Sequence, residues 1–434
     1  MMSFSLQFVL VLIGTFMIAL VLTPLVRLFS FKIDAVDYPN ARRINTKPMP
    51  SAGGLSIVIA FSIATLVFIP MLTSTTAPIK SYLSYTLPVV GAGWIIALTG
   101  LIDDVKELSA KKKMIGILLA ASLVWFLTDF RLNDFKIPFG GPLLHFEPWL
   151  SYLLTVIWIV AITNAVNLID GLDGLVSGVS IISLVTMGIV SYFFLPVPNL
   201  FLTMTIFVLV ASIAGFFPFN YHPAILYLGD TGALFIGFMI SVLSLQGLKN
   251  ATAVAVVTPM IILGVPITDT FLAIIRRTLS GQKFYKPDRN HLHHRLLSLG
   301  LTHRGTVLVI YGISMIFSLI SLLLNISSRI GGVLLVIGLL FGVELLAELI
   351  GVLGPHHSPL LNVLRYIGNS SYREEVCQKR KEKLNKNSSN QKKSHLGFFL
   401  IYLKGKKILC DEGIFALRNL PDFKVKRKGM QCRH

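Results

Sequence analysis

The chain has 434 residues, 54% of them hydrophobic and only 14% charged, with a mean hydropathy of +0.73. Soluble chains carry about 25% charged residues, so a water-soluble domain is excluded and an integral membrane protein is implied. The formal charge of +18 does not point to nucleic acid: residues 371–434 hold 17 Lys and Arg against 6 Asp and Glu, so +11 of it lies in the C-terminal tail.

A bilayer core takes about 20 apolar residues per helix, and about eleven stretches meet that need. They are 4–28, 52–72, 83–102, 114–129, 150–167, 174–195, 199–217, 231–247, 252–275, 306–325 and 329–352. The runs are continuously apolar rather than alternating with period two, which argues for helices over a membrane barrel. The expected fold is therefore all-α and polytopic, with a membrane-embedded body over 1–355 and a basic, flexible tail over 356–434. The first run has no basic leader and is expected to be retained as a helix.

Placing the N-terminus outside puts Arg27, Lys32, Arg42, Arg43, Lys47, Lys106, Lys111, Lys112, Lys113, Arg276 and Arg277 in cytoplasmic loops, with few cations opposite. That bias predicts N-outside, C-inside. Every polar segment with chemical character then faces the cytoplasm. A transporter would instead bury charges mid-membrane, commonly between repeated halves.

Taken in chain order, the first such segment is Leu101 to Lys106, with adjacent Asp103 and Asp104. Two carboxylates at a membrane helix end need a cation or a proton. Capping with compensation by Lys106, a metal site and a general base all remain open. The loop 130–148, with Pro138, Gly140, Gly141 and Pro142, is expected to turn on the outer face. Next, Thr163 to Gly174 packs Asn164, Asn167, Asp170 and Asp173 between apolar spans, with Asn164 and Asn167 on one helical face. Gly171 and Gly174 let the backbone come close to a ligand.

Asn220, Tyr221 and His222 follow, then Asp230 between Gly229 and Thr231 at the start of a span. Asp230 there reads either as an N-cap or as a metal ligand beside N–H groups that favour phosphate. Asp269 lies two turns before Arg276 on one face, so charge compensation and catalysis are both open. Arg289, His291, His293, His294 and Arg295 form a cluster suited to phosphate. Zinc is the rival there, but the oxygen-bearing residues elsewhere favour Mg2+. Glu344 and Glu348 are expected to be structural. Cys377, Cys410 and Cys432 all lie in the tail and fit no zinc spacing. The run Leu396 to Leu403 is too short to span and suits the interface, and the tail's cations suit an anionic leaflet.

Five motifs in this order carry a family resemblance. They are Asp37-Tyr38-Pro39-Asn40-Ala41-Arg42-Arg43 with Pro48 to Gly54, the Asp103-Asp104-x-x run, Asn164 to Gly174, Gly229-Asp230-Thr231-Gly232, and Asp288 to Arg295. Over about residues 20–355 the chain resembles the polyprenyl-phosphate N-acetylhexosamine-1-phosphate transferases of glycosyltransferase family 4. The spacing of His291 from His293 and His294 resembles the WecA/TagO-like branch rather than the MraY branch.

The resemblance implies transfer of N-acetylglucosamine 1-phosphate from UDP-GlcNAc to undecaprenyl phosphate in the bacterial plasma membrane. UMP leaves, and the product begins a teichoic acid, a rhamnose polysaccharide or an O-antigen. The implied cofactor is Mg2+, with Mn2+ as its alternative; the bilayer is a partner, nucleic acid is not, and a homodimer is a candidate assembly. Asp103, Asp104 and Asp230 are then the catalytic candidates, and Asp230 and Asn167 the metal ligands. Asn164, Asp170, Asp173 and Asn220 fall on the nucleotide-sugar side, with Asp173 near the uracil. Lys106, Lys113, Arg289, His291, His293, His294 and Arg295 fall to the phosphates. The runner-up activity is the MurNAc-pentapeptide phosphotransferase, and a cation-coupled transporter is the alternative from another class. Direct attack by the lipid phosphate is preferred to an acyl-phosphate intermediate on an Asp.

Overall fold

The computed structural model describes residues 4–39, 47–73, 79–136, 142–194, 200–248, 253–279 and 291–351, with isolated positions as far as Gln378. The chain forms two compact units, Met1–Ser358 and Pro359–His434. The second lies almost wholly outside the described residues, as do the tail cysteines, the run Leu396 to Leu403, Arg42, Arg43 and Arg289.

The first unit is helical: α1 (Phe4–Lys32), α2 (Gly54–Ile63), α3 (Ile69–Thr73), α4 (Ile79–Lys106), α5 (Ala110–Leu127), α6 (Pro148–Leu168), α7 (Leu175–Phe193), α8 (Leu200–Asn220), α9 (Gly229–Leu248), α10 (Ala253–Ile262), α11 (Gly264–Leu279), α12 (Leu292–Ser298), α13 (His303–Ile326) and α14 (Arg329–Ile350). A π-type widening at Ala64–Phe68 joins α2 to α3. Two small antiparallel ribbons complete it: β1 (Val36–Asp37) with β2 (Met49–Pro50), and β3 (Asp134–Lys136) with β4 (Leu143–His145). The second ribbon is the turn expected within 130–148; its tip, 137–141, lies outside the described residues.

Helix occupies each of the eleven expected apolar stretches, but the stretches are not equivalent. Among the described residues, eight helices are long and apolar enough to cross a membrane: Phe4–Lys32, Gly54–Met71, Tyr82–Lys106, Pro148–Leu168, Leu175–Phe193, Leu200–Asn220, His303–Ile326 and Ile330–Glu348. The stretch 114–129 belongs to a helix that opens on Lys111, Lys112 and Lys113. The apolar part of α9 is short, Gly229–Leu245. The stretch 252–275 is two helices, α10 and α11, which meet at Leu263 between Pro259 and Pro266. Proline withholds a backbone donor and disturbs the preceding turn, and two of them within eight residues account for the break.

Burial explains the layering. Every residue from Thr231 to Leu245 is buried, so α9 is the axis, packed against α4, α6 and α2. α1 is the reverse. It buries a stripe of Thr15, Ala19, Thr23, Val26 and Ser30 and turns Leu6, Leu10, Ile13, Met17, Val21, Leu25 and Leu28 outward. Small residues inward and large apolar ones outward is the pattern of a helix facing lipid. On a soluble surface such a band would be an unpaired apolar patch. Ile330, Leu334, Ile337, Leu340 and Phe341 repeat the outward pattern on α14.

The segment after β2 runs beside the approach to α9. Pro50 O accepts the Tyr227 N–H at 2.9 Å, and the N–H groups of Gly53 and Gly54 donate to Tyr227 O and Leu228 O at 3.0 and 2.9 Å. Gly54 meets Gly232 backbone to backbone, closer than any Cβ would allow. This zipper fixes where the α9 N-terminus, and therefore Asp230, is held.

Candidate active site

The polar motifs of the sequence converge around the start of α9. Asp230 is at its second position, and its carboxylate is bracketed. Lys113 Nζ from α5 reaches Oδ2 at 3.0 Å, and the Asn167 side-chain amide from α6 donates to Oδ1 at 2.6 Å. Lys113 also pairs with Asp103, so one ammonium lies between two carboxylates. Asp103 is buried and its Oδ1 accepts the Leu108 N–H at 2.5 Å. Lys106, at the exposed end of α4, is not the compensating cation; Lys113 is.

Asp104 takes the capping role that the sequence left open, but on a distant helix. Its Oδ1 accepts the Asp230 N–H at 2.9 Å, and its Oδ2 accepts the Thr231 N–H at 3.0 Å and the Thr231 hydroxyl at 2.6 Å. It is an N-cap supplied from another helix. The free N–H groups expected to greet a phosphate at Asp230 are therefore taken by Asp104.

The α6–α7 loop carries the next groups. Burial, helped by the negative charges of Asp230 and Asp173, pushes Asp170 up to about 8. At neutral pH its burial therefore favours the protonated, uncharged carboxyl. Asn164 donates to Val160 O at 2.7 Å inside its own helix. Asn220 is buried; its Oδ1 accepts from Gly174 N at 3.2 Å and Ser177 Oγ at 2.9 Å, and its Nδ2 donates to Leu226 O at 3.3 Å. These bonds tie the α6–α7 loop to the end of α8.

Two histidines that sequence reasoning left without a role surround Asp173. His222 donates Nδ1–H to Asp173 Oδ2 at 2.7 Å, and the Asp173 N–H donates to His303 Nε2 at 3.0 Å. The two imidazoles stack, with centroids 4.0 Å apart and planes 17° from parallel. His222 stands beside Asn220 and Tyr221 in the segment before Asp230, and His303 precedes Arg304 at the start of a span; a His-Arg pair at a span's first turn was the available signal.

The His cluster sits on α12. Asp269 accepts from His291 Nδ1 at 2.9 Å and from Leu292 N at 2.8 Å, with both side chains buried. Asp269 is thus partnered with His291 as well as capping α12. His293 packs on Gly171, where a Cβ would lie 2.3 Å from Nε2. Burial, then the neighbouring His294, lowers His293 to about 4, so it is a neutral N–H donor at pH 7. His294 lies against it, ring centroids 4.2 Å apart. Arg295 Nε is buried with no acceptor among the described residues, a donor left over for an anion.

Two groupings bear on a cation. Asp173, His222 and His303 offer donor atoms within 4.8 Å of one another. Their rings lie nearly parallel, however, and His303 Nε2 is already occupied, so the lone pairs do not converge. Asp103 and Asp230 already share a cation, the Lys113 ammonium, and the Asn167 amide nitrogen donates to Asp230. Carboxylate oxygens are what Mg2+ takes, so the paired carboxylates of this second grouping fit the implied ion.

Residues 86–248 match the model for glycosyl transferase family 4. A "probable undecaprenyl-phosphate N-acetylglucosaminyl 1-phosphate transferase" from Bacillus subtilis (strain 168) is 40% identical over 355 residues, 81% of this chain and 95% of the relative. A "decaprenyl-phosphate N-acetylglucosaminephosphotransferase" from Mycolicibacterium smegmatis is 32% identical over 66% of this chain and 74% of its own length. An "undecaprenyl-phosphate alpha-N-acetylglucosaminyl 1-phosphate transferase" from Salmonella typhi is 28% identical over 69% of this chain and 79% of its own length.

Proposed function

The chain belongs to glycosyl transferase family 4, and on that premise we propose that it transfers N-acetylglucosamine 1-phosphate from UDP-GlcNAc to undecaprenyl phosphate at the cytoplasmic face of a bacterial membrane. An oxygen of the lipid phosphate forms a bond to the β-phosphorus of the donor; the pyrophosphate P–O bond breaks and UMP leaves. The product is a lipid-linked pyrophosphoryl sugar, the first intermediate of a surface polysaccharide. The observation that carries this reading is the convergence of Asp103, Lys113, Asn167 and Asp230 at the start of α9. The 40% identity to the Bacillus subtilis relative over most of both chains supports the N-acetylglucosamine donor.

Two anions must be brought together, so positioning and charge neutralisation dominate. Mg2+ held by Asp230, Asp103 and Asn167 would supply Lewis-acid stabilisation of the phosphates. Lys113 adds a positive charge at the same point. His294 and Arg295 provide donors for phosphate oxygens, His293 provides a neutral N–H, Asp170 provides a carboxyl whose burial favours the protonated form, and His291 is oriented by Asp269. Asp104, engaged on both oxygens, positions Asp230. Asp103 is held by Lys113 and the Leu108 N–H. Those engagements support direct attack by the lipid phosphate over attack by either carboxylate.

Membranes containing the chain, given undecaprenyl phosphate and Mg2+, are expected to release UMP from UDP-GlcNAc and not from UDP-MurNAc-pentapeptide. Release only with the pentapeptide donor would overturn the donor assignment. Exchange of labelled UMP into donor without lipid would overturn direct attack.

Asp269→Asn tests the dyad with His291. An amide cannot hold the Nδ1–H as a carboxylate does, and the imidazole tautomer is set by that partner. Turnover is expected to fall about tenfold or more, with unchanged thermal unfolding in detergent. A loss under about twofold would show that His291 acts without Asp269.

A further inference from the structure

We propose that His222 and His303 are positioning residues that lock Asp173 as the acceptor for the base of the donor and so set base selectivity. This rests on the reading that the donor is a UDP-sugar whose base lies at Asp173, as the family resemblance implies; the anchoring of Asp173 by the stacked pair is independent of it.

Three separate parts of the chain meet here. Asp173 is in the α6–α7 loop, His222 follows α8, and His303 is the first residue of α13. His222 Nδ1 and the Ala224 N–H, at 2.7 and 3.2 Å, both donate to the same oxygen, Asp173 Oδ2. Among the described residues Oδ1 takes no hydrogen bond, and the side chain is 15% exposed. One oxygen is therefore anchored and the other presented. The anchoring is doubled through the backbone, because His303 Nε2 accepts the N–H of Asp173 itself. A ring nitrogen that accepts carries no proton, so His303 is the Nδ1–H tautomer. The stack of His303 on His222 couples the backbone anchor to the side-chain anchor.

α13 strengthens the clamp beyond the imidazoles. Arg304 Nη2 donates to His222 O at 3.1 Å, and the Tyr311 hydroxyl donates to Gly174 O at 2.6 Å. The loop bearing Asp173 and the loop bearing His222 are thus both tied to one helix.

An ionised carboxyl oxygen only accepts. It suits a base that presents a ring N–H, as uracil does, and repels one that presents a ring nitrogen lone pair there, as cytosine does. A polar site made for one pattern rejects the other strongly. Selectivity requires that Oδ1 not swing away or exchange roles with Oδ2, which is what His222 and His303 prevent.

The test uses the full chain in detergent or nanodiscs. His222→Leu and His303→Leu remove the contacts; His222→Asn and His303→Gln retain a donor near Nδ1 and an acceptor near Nε2. In UMP release, each Leu variant is expected to raise KM for UDP-GlcNAc about tenfold. Its kcat and its KM for undecaprenyl phosphate should stay within about twofold. The preference for UDP over CDP as a competitor should narrow, and the Asn and Gln variants should recover most of both effects. Equal losses in kcat and in both KM values, or Asn and Gln variants as impaired as the Leu variants, would reduce the pair to a structural contact and overturn the proposal. If the wild type releases no UMP from UDP-GlcNAc, the proposed function fails instead. Calorimetric binding of UDP and CDP to the same variants then still decides the role of the pair.

Discussion

Asp230→Asn is expected to lower UMP release about a thousandfold while leaving the chain folded. The substitution is isosteric, and the backbone N–H of residue 230 still meets the Asp104 carboxylate, so the start of α9 is preserved. What disappears is a negative charge held between Lys113 and Asn167. Removing it leaves the Lys113 ammonium with Asp103 and would leave the proposed divalent ion one carboxylate short. The check is a Mg2+ titration of wild type and variant in the same membranes. A variant that matches wild type at low Mg2+ would take Asp230 out of the metal site. A variant restored only at high Mg2+ would keep it there as an affinity determinant.

Gly229→Ala is expected to be the most damaging small substitution for stability. Gly229 has φ of +72°, a conformation L side chains rarely adopt, and a Cβ there would lie 1.5 Å from Ser51 O and 2.7 Å from Asp104 Oδ2. The backbone strain alone is about 1–3 kcal/mol, and the clash adds to it because Ser51 is pinned by its N–H to Ala35 O at 3.0 Å. The α9 N-terminus must move, and Asp104 and Asp230 move with it. Thermal unfolding in detergent should fall by several degrees or more, together with activity. Gly312→Ala, where a new Cβ meets nothing within 4 Å, is the matched control and should leave both unchanged.

Much of this was legible in the sequence, and the gaps have physical reasons. Continuous apolar runs located the helices, because a bilayer allows few alternatives. Hydropathy alone did not distinguish α9, the buried axis, from α1, whose apolar face is outward: both read as apolar, and only packing separates them. The break between α10 and α11 was signalled by Pro259 and Pro266 but hidden by the apolar composition around them. Within the site, motifs identified which groups gather but not which touches which. Lys106 was the nearer cation to Asp103 in sequence, yet Lys113 reaches it from the next helix. Asp104 could be read as a ligand or a cap, but the helix it caps begins more than a hundred residues later. His222 and His303 are 81 residues apart, and no local pattern links them.

Asp104 has one more consequence. A helix N-terminus normally offers an anion peptide N–H groups that no side-chain replacement can remove. Here that offer is withdrawn, since the first N–H groups of α9 already face a carboxylate of the same chain. Under the proposed function, phosphate recognition then falls to side chains such as Lys113, His294 and Arg295, each exchangeable by a single codon change. Donor affinity in such a protein can be retuned one residue at a time, while the helix that holds Asp230 remains as it was.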